Sequence, residues 1–147
     1  MTETAELTET ECLRLLGTGT VGRLVFTEAA MPAAAPVGYL LDGDEVIFRV
    51  PRDGPLAAAT RNLVIGFQTD DIDPTTHRGW SVLGVGRTYE VTDPSRRAVY
   101  EHTPRWDPAA TMPIARMSII ALPLRRLGGH RIGPAPILRG PCGDQGR

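Results

Sequence analysis

The sequence predicts a mainly β domain: a small closed or split β-barrel of six to seven strands, with short helices between them. Three observations carry that expectation. Met31 to Val50 (MPAAAPVGYLLDGDEVIFRV) holds two apolar segments about Asp42-Gly43, and Asp-Gly supplies the positive φ that a two-residue hairpin requires. Leu63 to Thr69 (LVIGFQT) is almost continuously apolar, as in a strand buried on both faces. The helical segments are too few and too short for the regular crossovers of a doubly wound sheet.

The elements follow in order. Thr8 is placed to cap a first helix, with Glu11 three positions on completing a capping box and Leu7 stapling onto the first turn near Cys12. Cys12, Leu13, Leu15 and Leu16 give this helix an apolar side, and Gly17 or Gly19 ends it. Thr20 to Thr27 alternates Val21, Arg23, Val25 against Gly22, Leu24, Phe26, a strand with one well-packed face and one mixed face. Ala33 to Leu41 and Glu45 to Val50 form the hairpin, Leu56 to Asn62 a short Ala-rich helix, and Leu63 to Thr69 the buried strand.

Asp70 to Gly79, with three Asp, a Pro and a Gly, reads as a loop. Trp80 to Thr92 reads as one long strand whose Gly84 and Gly86 mark a bulge or barrel corner. Asp93-Pro94-Ser95 caps a short helix, RRAVYEH, and Thr103 to Pro113 is a proline-rich excursion around Trp106. Ala115 to Leu122 and Arg125 to Ile132 supply the last strands, joined through Pro123. The domain is expected over residues 1–132, with 133–147, rich in Gly and Pro, as a disordered tail.

Composition bounds the chemistry. A length of 147 residues suits one domain, and a hydrophobic fraction of 41% with a formal charge of −1 describes an ordinary globule with no net field to hold nucleic acid or a membrane. All 16 basic residues are arginine, a bias of the kind a GC-rich genome produces, so Schiff-base chemistry through an internal lysine is excluded. Any grip on a phosphate falls to arginine, backbone amides or hydroxyls. Cys12 and Cys142 lack the spacing of a metal or disulfide framework and fit a reducing cytoplasm. The acidic N-terminus is not a signal peptide, and no run is apolar for long enough to span a bilayer, so the expected location is cytoplasmic.

Several side chains invite functional readings. Arg49 and Arg52 lead into the Leu56 helix, bringing cations and a helix N-terminus together as a phosphate site would. His77, His102 and His130 are each explained by loop, helix-end or strand placement. Asp70, Asp71 and Asp73 lack the glycine and terminal glutamate of a calcium loop, and no metal site is expected. Gly84-x-Gly86 lies within a strand, so it is not a dinucleotide fingerprint.

Taken together, ECLRLLGTGTVGRLVF, PVGY before LLDGDEVIFR, FQTDDIDP and GWSVLGVGRTYEV resemble the flavin-binding split barrels of the pyridoxamine 5′-phosphate oxidase-like superfamily, in particular its small actinobacterial one-domain members, over roughly Leu7 to Ile132. The resemblance implies an FMN-binding split barrel, a homodimer with the cofactor in a groove at its interface, and an FMN-dependent oxidoreductase acting on a small molecule. Arg49 and Arg52, with Val50 and Leu56 beside them, would meet the phosphate. Pro36, Val37 and Tyr39 would offer strand backbone to the ring, Trp80 and Trp106 would stack on it, and Ser81 or Tyr39 would donate a proton, although no residue is required as acid or base. F420 or haem stand as alternative cofactors, and so does a non-catalytic binding protein. The family often has lysine or arginine just before the Leu-Ala-Ala helix, preceded by a small hydroxyl residue. Here Asp53-Gly54-Pro55 stands in that place, and Asp53 would repel a phosphate.

Overall fold

The computed structural model describes residues 2–102 and 112–134, so Trp106, Cys142 and most of the expected tail lie outside the described residues. The elements in chain order are β1 (Thr2–Glu6), α1 (Glu9–Leu16), β2 (Val21–Glu28), β3 (Met31–Asp42), β4 (Glu45–Pro51), α2 (Pro55–Thr60), β5 (Val64–Ile72), β6 (Gly79–Arg87), β7 (Tyr89–Glu90), α3 (Pro94–Glu101), a 3-10 turn at Ile114–Arg116, β8 (Met117–Pro123) and β9 (Arg126–Pro134). All pairings are antiparallel, in the order β1-β9-β6-β5-β2-β3-β4-β8-β7. Because β7 follows β6 and β8 leads into β9, the pairs β6–β9 and β7–β8 bring the curled sheet round into a split barrel. The mainly β architecture expected from the sequence is the one the chain adopts.

Local chemistry explains most boundaries. Thr8 Oγ1 accepts the Glu11 backbone N–H at 3.2 Å, and the Thr8 hydroxyl donates to the Glu11 carboxylate at 3.1 Å, so α1 starts at its capping box. Asp93 caps α3 by accepting the Arg96 N–H at 3.1 Å, with Pro94 next, where a missing N–H costs nothing.

Three expectations need correction. The hairpin loop is Gly43–Asp44, one residue later than the Asp-Gly pair suggests, because Asp42 pairs with Glu45 and only Gly43, at φ +62°, takes the left-handed region. The Asp-rich segment is partly strand: Asp70, Asp71 and Ile72 pair with Ser81, Trp80 and Gly79, their exposed side chains leaving the ladder undisturbed. The expected 80–92 strand breaks at Thr88, whose hydroxyl donates to the Thr60 carbonyl and accepts the Leu63 N–H at 3.1 Å. Gly86 marks the corner there: a Cβ would stand 1.8 Å from the Pro123 carbonyl oxygen.

Two features lay outside the expectation altogether. The acidic N-terminus forms β1, zipped along β9 from Thr2↔Pro134 to Glu6↔His130. The β2–β3 turn is Ala29-Ala30, at φ +50° and +62°, a conformation alanine adopts only under strain.

The main core fills the barrel: Leu24, Phe26, Val37, Tyr39, Phe48, Val50, Phe67, Ile120 and Leu122 interlock, and Leu15 and Leu16 of α1 join them. A second, smaller cluster of Ile47, Val91, Tyr100, Ile119 and Ala121 lies on the outer side of β4 and β8. None of the described helices is long and apolar enough to cross a membrane.

Candidate functional site

The barrel interior leaves no space for a large ligand. A Cβ on Gly22 would stand 2.2 Å from the Phe67 ring, which is wholly buried and meets Tyr39 edge-on at a centroid distance of 4.7 Å. Any cofactor-sized molecule must therefore lie outside, and the outer face of the large sheet has the character of a site.

Strand alternation places the residues of that face in three rows across five strands. The middle row runs Pro36, Arg23, Gln68, Leu83, Gly128 on β3, β2, β5, β6 and β9. The row on one side is Ala34, Val25, Gly66, Val85, Arg126. On the other side stand Gly38 and Val21, then Asp70, Ser81 and His130. Of the eight exposed large hydrophobics among the described residues, five (Val21, Val25, Val64, Ile72 and Leu83) belong to this face. Among the described residues, this gathering of exposed apolar side chains on one face marks a candidate interaction surface. Gln68 donates to Ser81 Oγ at 3.3 Å and to Asp70 at 2.8 Å, an ordered polar strip within it.

At the β3 margin the barrel splits. The β3–β4 ladder stops at Tyr39↔Phe48; residues 31–38 pair with β2 alone, and Arg49 to Pro51 pair with β8 alone. The Tyr39 N–H is directed at Thr20 on the β2 side, so alternation turns the backbone groups of Pro36 and Gly38 toward the split. Proline is tolerated at Pro32 and Pro36 because that edge has no strand to bond.

The structure disperses the candidate residues. Pro36 and Ser81 lie on the outer face, and Arg49 is half-buried on the outer side of β4, opposite Ile119. Arg52 is exposed in the turn after β4, its backbone N–H donating to the Arg116 carbonyl at 2.8 Å. Val37, Tyr39 and Val50 are buried in the core; Leu56 and Trp80 pack against it half-buried. The Tyr39 hydroxyl donates to the Leu16 carbonyl at the end of α1, and burial pushes its pKa up to about 12. Trp106 lies outside the described residues.

The phosphate corner offers little of its own. Asp53 is exposed between Arg52 and α2; α2 has six residues, no side-chain cap at Gly54, and a proline at its first position. A groove lies at the other edge of the outer face. It measures about 840 Å³ and is floored by Leu83, Val85 and Gly128, with Arg125 and Arg126 at one end and Glu6 and Glu9 at the other.

Sequence reading passed over Arg23 and Gln68, whose place on the outer face only the strand pairing discloses. It also passed over a clamp that seats α3. Arg96 donates to Tyr89 at 2.6 Å, to Tyr100 at 3.0 Å and to Glu45 at 2.6 Å, while Tyr100 donates to Asp42 at 2.6 Å. Burial raises the pKa of both tyrosines, and the bonds to Tyr89 and Tyr100 raise that of Arg96. Every member of this network has a partner within it, so it is a fastening, not a ligand site. Among the described residues no group of three or more His, Cys, Asp or Glu side chains could hold a metal ion.

Comparison with known proteins agrees with this geometry. The chain is 38% identical over 104 residues to the uncharacterized protein Rv0080 of Mycobacterium tuberculosis, covering 67% of this chain and 68% of that protein. A solved FAD-binding protein from Mycobacterium smegmatis superposes with a TM-score of 0.71 at 25% identity, over 88% of this chain and 97% of that one. A FAD-binding protein from Mesorhizobium loti shares the fold, with a TM-score of 0.71 at 19% identity, over 87% of this chain and 97% of that one. The family model of pyridoxamine 5′-phosphate oxidase matches residues 8–131, and the chain belongs to the pyridoxamine 5′-phosphate oxidase family.

Proposed function

We propose that this chain is a cytoplasmic flavin-dependent oxidoreductase acting on a small organic molecule, and that it works as a homodimer with a flavin in each of two equivalent sites. The observation that carries the reading is the outer sheet face: exposed among the described residues, rich in apolar side chains, crossed by the hydrogen-bonded Asp70–Gln68–Ser81 strip and ending at the open backbone of the split. A second copy of the chain would cover it. Family membership and the nearly full-length likeness to a FAD-binding protein support the choice of cofactor.

The residues present fit a flavin ring. The interior is closed, whereas the outer face is open, and the split offers the Gly38 N–H and the Pro36 carbonyl to a pyrimidine edge. A bound flavin supplies hydride or electron transfer. The chain's own part is to position the ring against β3, to keep water from it with Val21, Val25 and Leu83, and to hold its phosphate, for which Arg49 and Arg52 are the near cations. Ser81 is the outer-face hydroxyl placed to donate a proton; Tyr39, engaged with Leu16, serves the fold.

A second reading, a non-catalytic flavin or haem binder, is favoured by Asp53 and Pro55 at the phosphate corner. Titrating cofactor-free protein with FMN, FAD, F420 and haem, followed by fluorescence or the haem absorption band, separates these. Saturable binding of FMN or FAD, with reduction of the bound flavin by a nicotinamide donor and reoxidation by an acceptor, is expected. Binding without turnover favours the second reading, F420 alone moves the chemistry to a deazaflavin, and failure of all four refutes the proposal.

A further inference from the structure

Strand β9 carries two adjacent glycines, and the fold accounts for one of them. A Cβ on Gly129 would stand 2.5 Å from the Ser81 carbonyl oxygen and 3.2 Å from the Leu7 side chain, so the packing of β9 requires glycine there. A Cβ on Gly128 would meet nothing within 4 Å, and its φ lies outside the left-handed region. Glycine inside a strand weakens it, and it often marks the close approach of a ligand or another backbone. Gly128 lies on the outer face opposite Leu83, which is 48% exposed, and the two floor the groove at the β9 margin.

The two ends of this groove are oppositely charged. Arg126, paired with Val85, stands at one end with Arg125 next to it; Glu6, paired with His130, stands at the other with Glu9 at the start of α1. Among the described residues none of these four side chains makes an ion pair or hydrogen bond. Arg126 and His130 are four residues apart on β9, about 13 Å at the usual rise of a strand. Physiological salt, with a Debye length of about 8 Å, screens charges so far apart from one another, so each end is left to attract its opposite from outside.

An extended tetrapeptide spans about the same 13 Å between its ammonium and its carboxylate. Its alternate side chains point to one side, so apolar ones would meet Leu83 and enter the space over Gly128. We propose that the groove binds a short extended peptide of about four residues with free termini, its carboxylate on Arg125 and Arg126 and its ammonium at Glu6 and Glu9. The site lies within a single copy of the chain and is independent of the flavin reading.

Calorimetric titration of the full chain with an alternating alanine–leucine tetrapeptide should saturate at one peptide per chain. N-acetylation and C-amidation should each weaken it about fivefold, the upper range for exposed ion pairs. R125A/R126A should weaken the free peptide by the same factor yet bind the amidated one as the unaltered chain does, and E6Q/E9Q should behave likewise toward the acetylated one. G128L, which fills the open space without straining the backbone, should abolish binding and leave the urea midpoint unchanged. Equal binding of capped and free peptides, an equal loss of free and amidated peptide with R125A/R126A, or full binding by G128L would each overturn the assignment. Failure of the unaltered chain to saturate would overturn it too, and a dimer that G128L dissociates would then give the groove to a second copy.

Discussion

Replacing Gly22 by alanine is the sharpest test of the closed interior that forces any cofactor outside. The added Cβ would lie 2.2, 2.6 and 3.0 Å from three atoms of the Phe67 ring, which has no exposure and is held edge-on by Tyr39. Neither ring can yield without moving the β2–β5 ladder, so Gly22→Ala should destabilise by about 1 to 3 kcal/mol, the cost of overpacking a well-filled core. Phe67→Leu alone should cost about 1 to 2 kcal/mol through the space it opens. In the double variant the methyl enters that space, and the pair should be more stable than the sum of the single effects by about 1 kcal/mol or more. Urea unfolding at equilibrium gives each value, and a loss of 2 kcal/mol corresponds to a fall of roughly 6 °C in Tm for a chain of this size. A neutral Gly22→Ala, or strictly additive effects, would show that the interior has room and would refute the external placement.

Further outcomes follow from other observations. Ala29→Asn with Ala30→Gly should stabilise the protein by about 1 kcal/mol, since both alanines occupy a left-handed conformation that Asn and Gly accept more readily; an unchanged urea midpoint would deny the strain. Tyr39, buried and raised from 10.0 to about 12, stays protonated in the folded chain while its unfolded counterpart ionises. Its contribution is therefore complete below pH 10 and is lost between pH 10 and 12, a decline of about 2 to 3 kcal/mol that Tyr39→Phe should abolish in unfolding measured across that window. Arg49→Ala should weaken FMN by about 1.5 to 3 kcal/mol, the scale of a lost charge-assisted bond, in a fluorescence titration; unchanged affinity would move the phosphate elsewhere.

How much of this was legible in the sequence depends on the range of the interaction. Local chemistry was: the Thr8 box and the Asp93 cap rest on contacts within a few residues, and each helix starts where its signal lay. The apolar run at Leu63 to Thr69 does mark a strand, but it is not buried on both faces as expected, because Val64 stands exposed on the outer face while Ile65 and Phe67 enter the core. The β1 strand was hidden because TETAE has no apolar alternation and depends on β9, over a hundred residues away, for its hydrogen bonds. Ala29-Ala30 was hidden because the turn imposes a conformation its residues do not favour. For the candidate site, the alternation around Arg23 showed two unlike faces but not which neighbours complete them. Only the register, setting Pro36, Arg23, Gln68, Leu83 and Gly128 side by side, makes a surface of residues scattered along the chain. Tyr39 illustrates the converse. A tyrosine on a candidate ligand strand reads as functional until its hydroxyl is found on the Leu16 carbonyl.

Native mass spectrometry of the protein after exchange with excess FMN or FAD tests the central claim most directly, because a single spectrum reports both assembly and occupancy. The account predicts a dimer carrying two flavins, released together with dissociation into monomers. A flavin-loaded monomer, or a dimer that takes up no flavin, would contradict it.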